Sequence, residues 1–482
     1  MSKIISNYLF TVMYQILLLL TPFITTPYVS RILKAEGIGI EAYVSSIVQI
    51  FIVFIVLSIP LYGSRQIATK SNIEDRSNEF WSIFSVQIIF SIFNIIIYYI
   101  FMETIVTEYK ALFLINIFTI IAYSIDVSWY FMGKEEMKKI AIRNMLVKIT
   151  GIILTFTLIK DYSDLDLYVF INGFTLFMGQ LIMWGPLLRE ISFKKVSYSN
   201  IKIHFIPMLT LFIPQLMIQI YVLLNKIVLG NTSGEIEVGY YNQANKIVRL
   251  ALGVVTSIGT VLLPRMAAEF VKGNRKKMET YVNYTMRFIL MITLPMTCGL
   301  MVIAPNFVSW FLGSDFLPVI ELVVIMSPVI LFVGLANVFG IQVLIATNQQ
   351  KKYSIAVTVG AIFSLIINFI LVYSLGSIAT TISLVVAEAT GALICMYYAK
   401  HYFNMKQFFK LFFKYLILAA LAMFVVKLVG DFIEVSMIII TIIQIIVGGL
   451  LYLGGLIITK DRMVVRFIDI LNNKFKMKGN LR

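Results

Sequence analysis

The chain is poor in the residues that carry out chemistry. Its 482 residues include two cysteines and two histidines. Cys298 and Cys395 each stand inside an apolar run, while His204 and His401 fall beside lysines at the ends of such runs, far apart in sequence. That pattern excludes a disulfide framework, a metal site of recognisable ligand spacing, and a nucleophile set beside a base. Acidic residues are scarce, 25 against 40 lysines and arginines, and charged residues of both signs make up only 13% of the chain. No polar stretch is long enough to be a domain, which argues against a membrane polymerase or glycosyltransferase with an extramembrane catalytic loop. The first apolar segment is too long for a secretory signal and lacks a small-residue cleavage site, so it is expected to stay as a spanning helix.

What is abundant is hydrocarbon. Hydrophobic residues make up 59% and the mean hydropathy is +0.89, against about 45–50% apolar in soluble domains. The expected fold class is an all-α integral membrane protein. Apolar segments near the roughly 20 residues that a bilayer requires recur about fourteen times, from residues 7–31 to residues 436–459.

The net charge of +15 is concentrated in alternate breaks. One set holds Arg65, Lys70 and Arg76; then Lys134, Lys138, Lys139 and Arg143; then Arg189, Lys194, Lys195 and Lys202; then Arg265, Lys272, Arg275, Lys276 and Lys277. It continues through Lys351, Lys352, Lys400, Lys406, Lys410 and Lys414 to a tail bearing Lys460, Arg462, Arg466, Lys474, Lys476, Lys478 and Arg482. The other set, such as NTSGEIEVG (231–239) and APNFVSWFLGSD (304–315), is nearly free of cations. By the positive-inside rule both termini are cytoplasmic, which an even number of spans satisfies. A basic chain of this kind signals membrane topology rather than nucleic acid.

Within the spans, a few polar residues line up. In the segment 238–263, Asn242, Lys246, Arg249, Gly253, Thr256 and Thr260 recur every three or four residues and form one stripe on a helix. Lys246 and Arg249 fall roughly 10 and 15 Å into a core about 30 Å thick, where each cation costs about 2.5–3.5 kcal/mol unless it meets an anion or water. The first helix repeats the pattern with Asn7, Thr11, Tyr14, Gln15, Thr21, Thr25 and Tyr28, ending at Arg31. The seventh has Gln215, Gln219, Asn225 and Lys226, and the fifth Asn144, Lys148, Gly151 and Thr155. These stripes predict a hydrated cleft that accepts an anion; single hydroxyls and amides can equally be interhelical glue. Glu388 lies near the middle of the twelfth span, where it either carries a coupling H+ or Na+ or neutralises Lys246 or Arg249. Asp126, about a turn from a boundary, is a second ion-coupling candidate that fits better as an orienting group. An offset of 200 places Gly39 on Gly239 and Arg65 on Arg265, and brings Pro22 and Pro27 near Pro207 and Pro214, the pattern of an internal duplication.

Six segments carry a resemblance over essentially the whole length: PYVSRILKAEGIG (27–39), YGSRQIA (62–68), DVSWYFMGKEEMKKIAIRN (126–144), VGYYNQANKIV (238–248), FLGSDF (311–316) and NFILVYSLGSIATTISLVVAE (368–388). Met132 replaces an expected glutamine and Ser377 an alanine, both mild departures. The chain resembles the polysaccharide flippases of the multidrug/oligosaccharidyl-lipid/polysaccharide exporter superfamily. That resemblance implies two pseudo-symmetric six-helix lobes, residues 1–204 and 205–400, around a central cavity. It also implies two further helices with the basic tail, residues 401–482, which offer a groove for a long lipid tail. It further implies alternating access and an undecaprenyl-pyrophosphate-linked oligosaccharide as cargo, moved across a bacterial cytoplasmic membrane, without a cofactor beyond H+ or Na+. A polysaccharide polymerase and export machinery are the implied partners besides membrane lipids.

The expected pyrophosphate ligands are Arg249 and Lys246, supported by Arg31, Lys226, Lys148 and Arg143, the last alternatively guarding the cytoplasmic mouth. Asn242, Gln219 and Gln215 are expected to meet sugar hydroxyls. The alternatives are a flippase for a teichoic acid or peptidoglycan precursor and, at greater distance, a multidrug antiporter. A site for cationic drugs would call for an anionic cavity, against the sign of charge seen here.

Overall fold

The computed structural model describes residues 2–194 and 196–465, apart from the side chains of residues 2–5, 198, 213, 214, 217, 218, 220, 254, 256–262 and 264. Thr256, Thr260, the ring of Pro214, Lys195 and the tail cations from Arg466 onward therefore lie outside the described residues. Among the described residues the chain is helical with no strand, as its apolar composition requires: inside a bilayer each backbone donor must be satisfied within its own helix.

Among the described residues, eleven helical stretches are long and apolar enough to cross a membrane. The first, Ser6–Ala68, covers two expected spans. It comprises α1 (Ser2–Val56), which passes through a non-helical residue at Lys34 (φ 57°), and α2 (Ile59–Ala68). There follow α3 (Ile73–Thr104), α4 (Lys110–Ile115), α5 (Ile117–Ser124), α6 (Ser128–Gly133), α7 (Met137–Leu158) and α8 (Leu165–Leu188). Next come α9 (Tyr198–Ser233) and α10 (Glu235–Val271), which are only partly described and contain the expected seventh and eighth spans. Then come α11 (Arg275–Phe311), α12 (Val319–Met326), α13 (Val329–Ala336), a π-helical stretch (Asn337–Ile345), α14 (Gln350–Leu375), α15 (Ser377–Ala399), α16 (Met405–Phe432) and α17 (Met437–Ile458). One expectation is corrected: residues 304–315 are not all a connection, because α11 stays helical through Pro305 to Phe311, and Phe307 and Trp310 extend its apolar face.

By packing, the chain divides into two compact units. Unit 1 is residues 1–242 with 368–380, and unit 2 is residues 243–367 with 381–482. In unit 1 the segment 126–144 supplies the core. Trp129, Tyr130 and Phe131 are fully buried, and the Trp129 ring stacks on Phe80 at 5.2 Å. A Cβ on Gly63 would come within 2.6 Å of Trp129, so glycine is what lets α2 lie against α6. The break between α5 and α6 exposes three carbonyls, of Tyr123, Ser124 and Asp126, and Gln87 Nε2 donates to all three at 3.0–3.2 Å. A single amide thus replaces the lost helical bonds at a site sheltered from water.

Gly39 and Gly239, superposed by the offset of 200, touch each other. A Cβ on Gly39 would overlap the Glu235 carbonyl, and one on Gly239 the Ala35 carbonyl, so each residue meets the position four before the other. This reciprocity is what a local two-fold arrangement of α1 and α10 produces. The tip of the α14–α15 hairpin joins unit 1 at the same place. Ser377 N donates to Glu237 Oε2 at 3.0 Å, Ser233 Oγ to the Val372 carbonyl at 3.2 Å, and Asn368 Nδ2 to the Asn225 carbonyl at 3.4 Å.

Unit 2 is built on α11, against which α12, α13, α16 and α17 pack. Its α14 and α15 approach closely at Gly360, where a Cβ would stand 2.5 Å from the Ala387 carbonyl. Both cysteines lie in this unit and are free.

Candidate functional site

The stripes of the first and fifth expected spans converge on one cavity inside unit 1. It has a volume of 490 Å³ and opens among α1, α5, α7 and α8. Tyr14, Thr21 and Thr25 line it from α1, and Arg143, Asn144, Lys148, Gly151 and Thr155 from α7. The last four are spaced at i, i+4, i+7 and i+11, so a regular helix presents them together, with Arg143 at the adjoining edge.

Arg143 is the most constrained group in the cavity wall. It is only 5% exposed, and its Nη2 donates to Ser128 Oγ at 2.6 Å. Ser128 in turn donates its hydroxyl and backbone N–H to Asp126 Oδ1, at 2.5 and 2.8 Å. The carboxylate therefore neutralises the guanidinium through a hydroxyl while fixing the start of α6. Nε of Arg143 is buried without a hydrogen-bond partner. An unmet donor on a buried cation costs about 1–3 kcal/mol unless the cavity supplies an acceptor. Lys148, exposed in the same wall, adds a second positive charge.

Sequence reasoning missed the contribution of α1 beyond Lys34. Glu41, Ser45 and Gln49 line the cavity, and Ser45 Oγ donates to Glu41 Oε1 at 2.9 Å. Their spacing of four was visible but lay in a run read as plain span. Asn116, Thr119, Asn172 and Thr175 complete the polar lining. Two cations, one carboxylate and a ring of amides and hydroxyls suit an anion carrying hydroxyl groups.

Gln215 and Gln219 line a second hollow of unit 1, 450 Å³ in volume, which shares Gln49 and Tyr123 with the first. Lys226 and Asn242 do not line either one. They pair with each other, Nζ to Oδ1 at 3.0 Å, which joins α9 to the start of α10. Arg31 is exposed on α1 just before the Lys34 break. In unit 2, Arg249 is exposed and its Nε donates to Asn245 Oδ1 at 3.1 Å. Glu388, half-buried, is within electrostatic reach of Arg249, and Lys246 is half-buried one turn before it.

At one end of α7 a four-membered cluster closes the segment 126–144. Lys134 pairs with Glu190 and with Glu136 (3.1 Å), and Lys139 with Glu136 (2.7 Å) and Glu190 (2.6 Å). Burial alone would raise the Glu136 carboxyl, but hydrogen bonds from Lys139 and Lys134 outweigh it and hold the group below its usual value of 4.5. Asn7 ties α1 to this end, its Nδ2 donating to the Glu135 carbonyl at 2.5 Å and its Oδ1 accepting from Lys138 N at 3.1 Å.

The polysaccharide biosynthesis protein family matches residues 4–270, and the lipid II flippase MurJ family matches residues 139–451. The chain belongs to the polysaccharide flippases of the multidrug/oligosaccharidyl-lipid/polysaccharide exporter superfamily. A protein of Escherichia coli (strain K12) assigned provisionally as an O-antigen transporter is 26% identical over 388 residues, covering 79% of this chain and 93% of that one. Among solved structures, the lipid II flippase MurJ in an inward closed conformation superposes with a TM-score of 0.69 at 21% identity, over 95% of this chain and 100% of that one. An inward-facing multidrug resistance MATE family transporter superposes at 0.59 with 14% identity, over 81% of this chain and 95% of that one. At these identities both likenesses establish the fold. The flippase is thus a multi-pass membrane transporter whose family handles lipid-linked polysaccharide.

Proposed function

We propose that the protein flips undecaprenyl-pyrophosphate-linked oligosaccharide repeat units from the inner to the outer leaflet of a bacterial cytoplasmic membrane, by alternating access and with both termini cytoplasmic. The observation that carries this reading is the 490 Å³ cavity whose wall holds a buried, hydroxyl-anchored arginine with an unsatisfied Nε beside Lys148 and a dense set of amides and hydroxyls. The pyrophosphate is gripped by Arg143 and Lys148, with Arg249, Lys246, Arg31 and Lys226 engaged along the path. Sugar hydroxyls meet Asn144, Gln215, Gln219 and Asn242. Glu388 serves as the counter-charge that Arg249 leaves when the anion arrives. Net direction comes from an ion gradient, the membrane potential, or consumption of the product by a polymerase. The duplication halves, residues 1–204 and 205–400, are proposed as units of descent.

The test is the sidedness of lipid-linked saccharide in spheroplasts of cells depleted of the protein, read by trimming with an impermeant glycosidase. Untrimmed, inward-facing repeat units are the expected result; full trimming would remove this function. A second reading, transport of a peptidoglycan precursor, is favoured by the MurJ family match over residues 139–451. The same assay with lipid II as the scored species decides between them.

A further inference from the structure

The cavity of unit 1 holds one charge that an anion does not call for. Glu41 lines it from α1, and its Oε1 accepts from Ser45 Oγ at 2.9 Å. Among the described residues Glu41 forms no ion pair, and an ionised carboxylate with a single hydroxyl donor keeps most of its roughly four acceptor sites open. Lys160, in the connection between α7 and α8, donates instead to the Tyr28 hydroxyl at 3.2 Å and to the Phe156 carbonyl. The backbone fixes how far Glu41 stands from the cations of the cavity. A Cβ on Gly179 would meet Val147 and Arg143, and one on Gly151 would meet Thr175, so α8 runs back along α7. Tyr168, within electrostatic reach of Glu41, therefore lies near the level of Thr155. A Cβ on Gly37, one turn before Glu41, would stand 3.4 Å from the Tyr162 ring, which puts that part of α1 at the same end. Thr155 is twelve residues beyond Arg143, about 18 Å along a helix. The cavity is thus dipolar, cationic toward Arg143 and Lys148 and anionic toward Glu41.

We propose that Glu41 is a specificity-determining residue that receives a protonated amine of the cargo, so that the repeat unit carried is zwitterionic: a sugar with a free, unacetylated amino group lies a short oligosaccharide's length from the pyrophosphate. This rests on the flippase reading above and narrows its cargo. A carrier for a purely anionic head group gains nothing from a carboxylate in its wall. An amine reverses that balance. Coulomb energy falls with separation, so at equal screening an ammonium in contact at about 4 Å is attracted to Glu41 roughly four times as strongly as a phosphate charge at about 18 Å is repelled. The ammonium also donates charge-assisted hydrogen bonds to the open acceptor sites, which a hydroxyl or an N-acetyl group cannot match. Cargo without the amine leaves the carboxylate shielded from water and unpaired, and a site built to bond one polar group discriminates in this way against the analogue that lacks it.

Equimolar competition read by native mass spectrometry of the full-length protein in detergent tests the proposal. The probes are two synthetic undecaprenyl-diphosphate trisaccharides that differ only in ending on glucosamine or on N-acetylglucosamine. At neutral pH the free-amine probe is expected to be bound in excess, by roughly tenfold or more. Glu41→Gln should bring the ratio to one without weakening the N-acetylated probe, and Glu41→Asp should keep part of the preference. Equal binding of the two probes by the wild-type protein would overturn the proposal, as would a preference that survives Glu41→Gln. Loss of both probes alike in that variant would also overturn it and make Glu41 a structural or ion-coupling group. The flippase reading is scored separately by Lys148→Gln. Equal wild-type binding that this variant weakens for both probes leaves that reading standing and removes only the amine, whereas no binding of either probe removes both.

Discussion

Two arginines, one in each unit, show how differently a membrane protein can hold a cation. Arg143 is buried, charge-compensated at one remove through Ser128, and faces a polar cavity. Arg249 is exposed, with Asn245 at hydrogen-bond distance and Glu388 within electrostatic reach. Hydropathy ranks Arg249 as the deeper of the two because it stands in the middle of an apolar run, and yet the less conspicuous Arg143, near the edge of its run, is the one withdrawn from solvent. Depth along a helix says nothing about rotation around it, and rotation decides whether a side chain meets protein, water or lipid.

The comparison can be broken most decisively at Arg143. Arg143→Gln removes the guanidinium that Ser128 links to Asp126 and should abolish export and lower stability by about 1–3 kcal/mol, because the half-buried carboxylate loses its counter-charge. The double variant Asp126→Asn/Arg143→Gln should recover most of the stability and none of the transport. Thermal unfolding in detergent and the spheroplast assay read the two effects separately, and recovery of transport would show that Arg143 is only structural.

Arg249→Glu comes next. It should block export as strongly while changing stability by less than about 1 kcal/mol, the scale of an exposed ion pair. Wild-type export in this variant would remove Arg249 from the cargo path.

Ser128→Ala sharpens the contrast more gently. Loss of the bridging hydroxyl should cost about 1–2 kcal/mol and leave export partly active, and an unchanged melting temperature would show that the bridge does not hold Arg143.

The smallest effect is one of pH. Glu136 has a folded-state value below its usual 4.5, so its contribution to stability is present above that value and lost as the pH falls through the lowered one. Melting temperature should therefore drop between neutral and strongly acid conditions, and Glu136→Gln should flatten the lower part of that slope.

Much of this architecture was legible in the residues. The apolar runs announced helices long enough to span, and the α1 and α7 stripes met in one cavity, whereas the Gly39 and Gly239 match, read as a duplication, did not foretell that these two glycines touch. Less legible were features that depend on partners distant in sequence. Glu41 and Gln49 became cavity residues only because α1 continues past Lys34 beside α7 and α8. Gln87 gained its role from a helix break some forty residues away.

The sequence by itself determined that this chain is a helical membrane transporter of the flippase family, since hydrocarbon content, loop charge and a handful of motifs are properties that no packing can reverse. Tertiary structure alone decided which of its many membrane cations is buried, which are exposed and which share a carboxylate. A charge in hydrocarbon is governed by what lies within a few ångströms of it, and those neighbours come from helices that the linear order does not bring together.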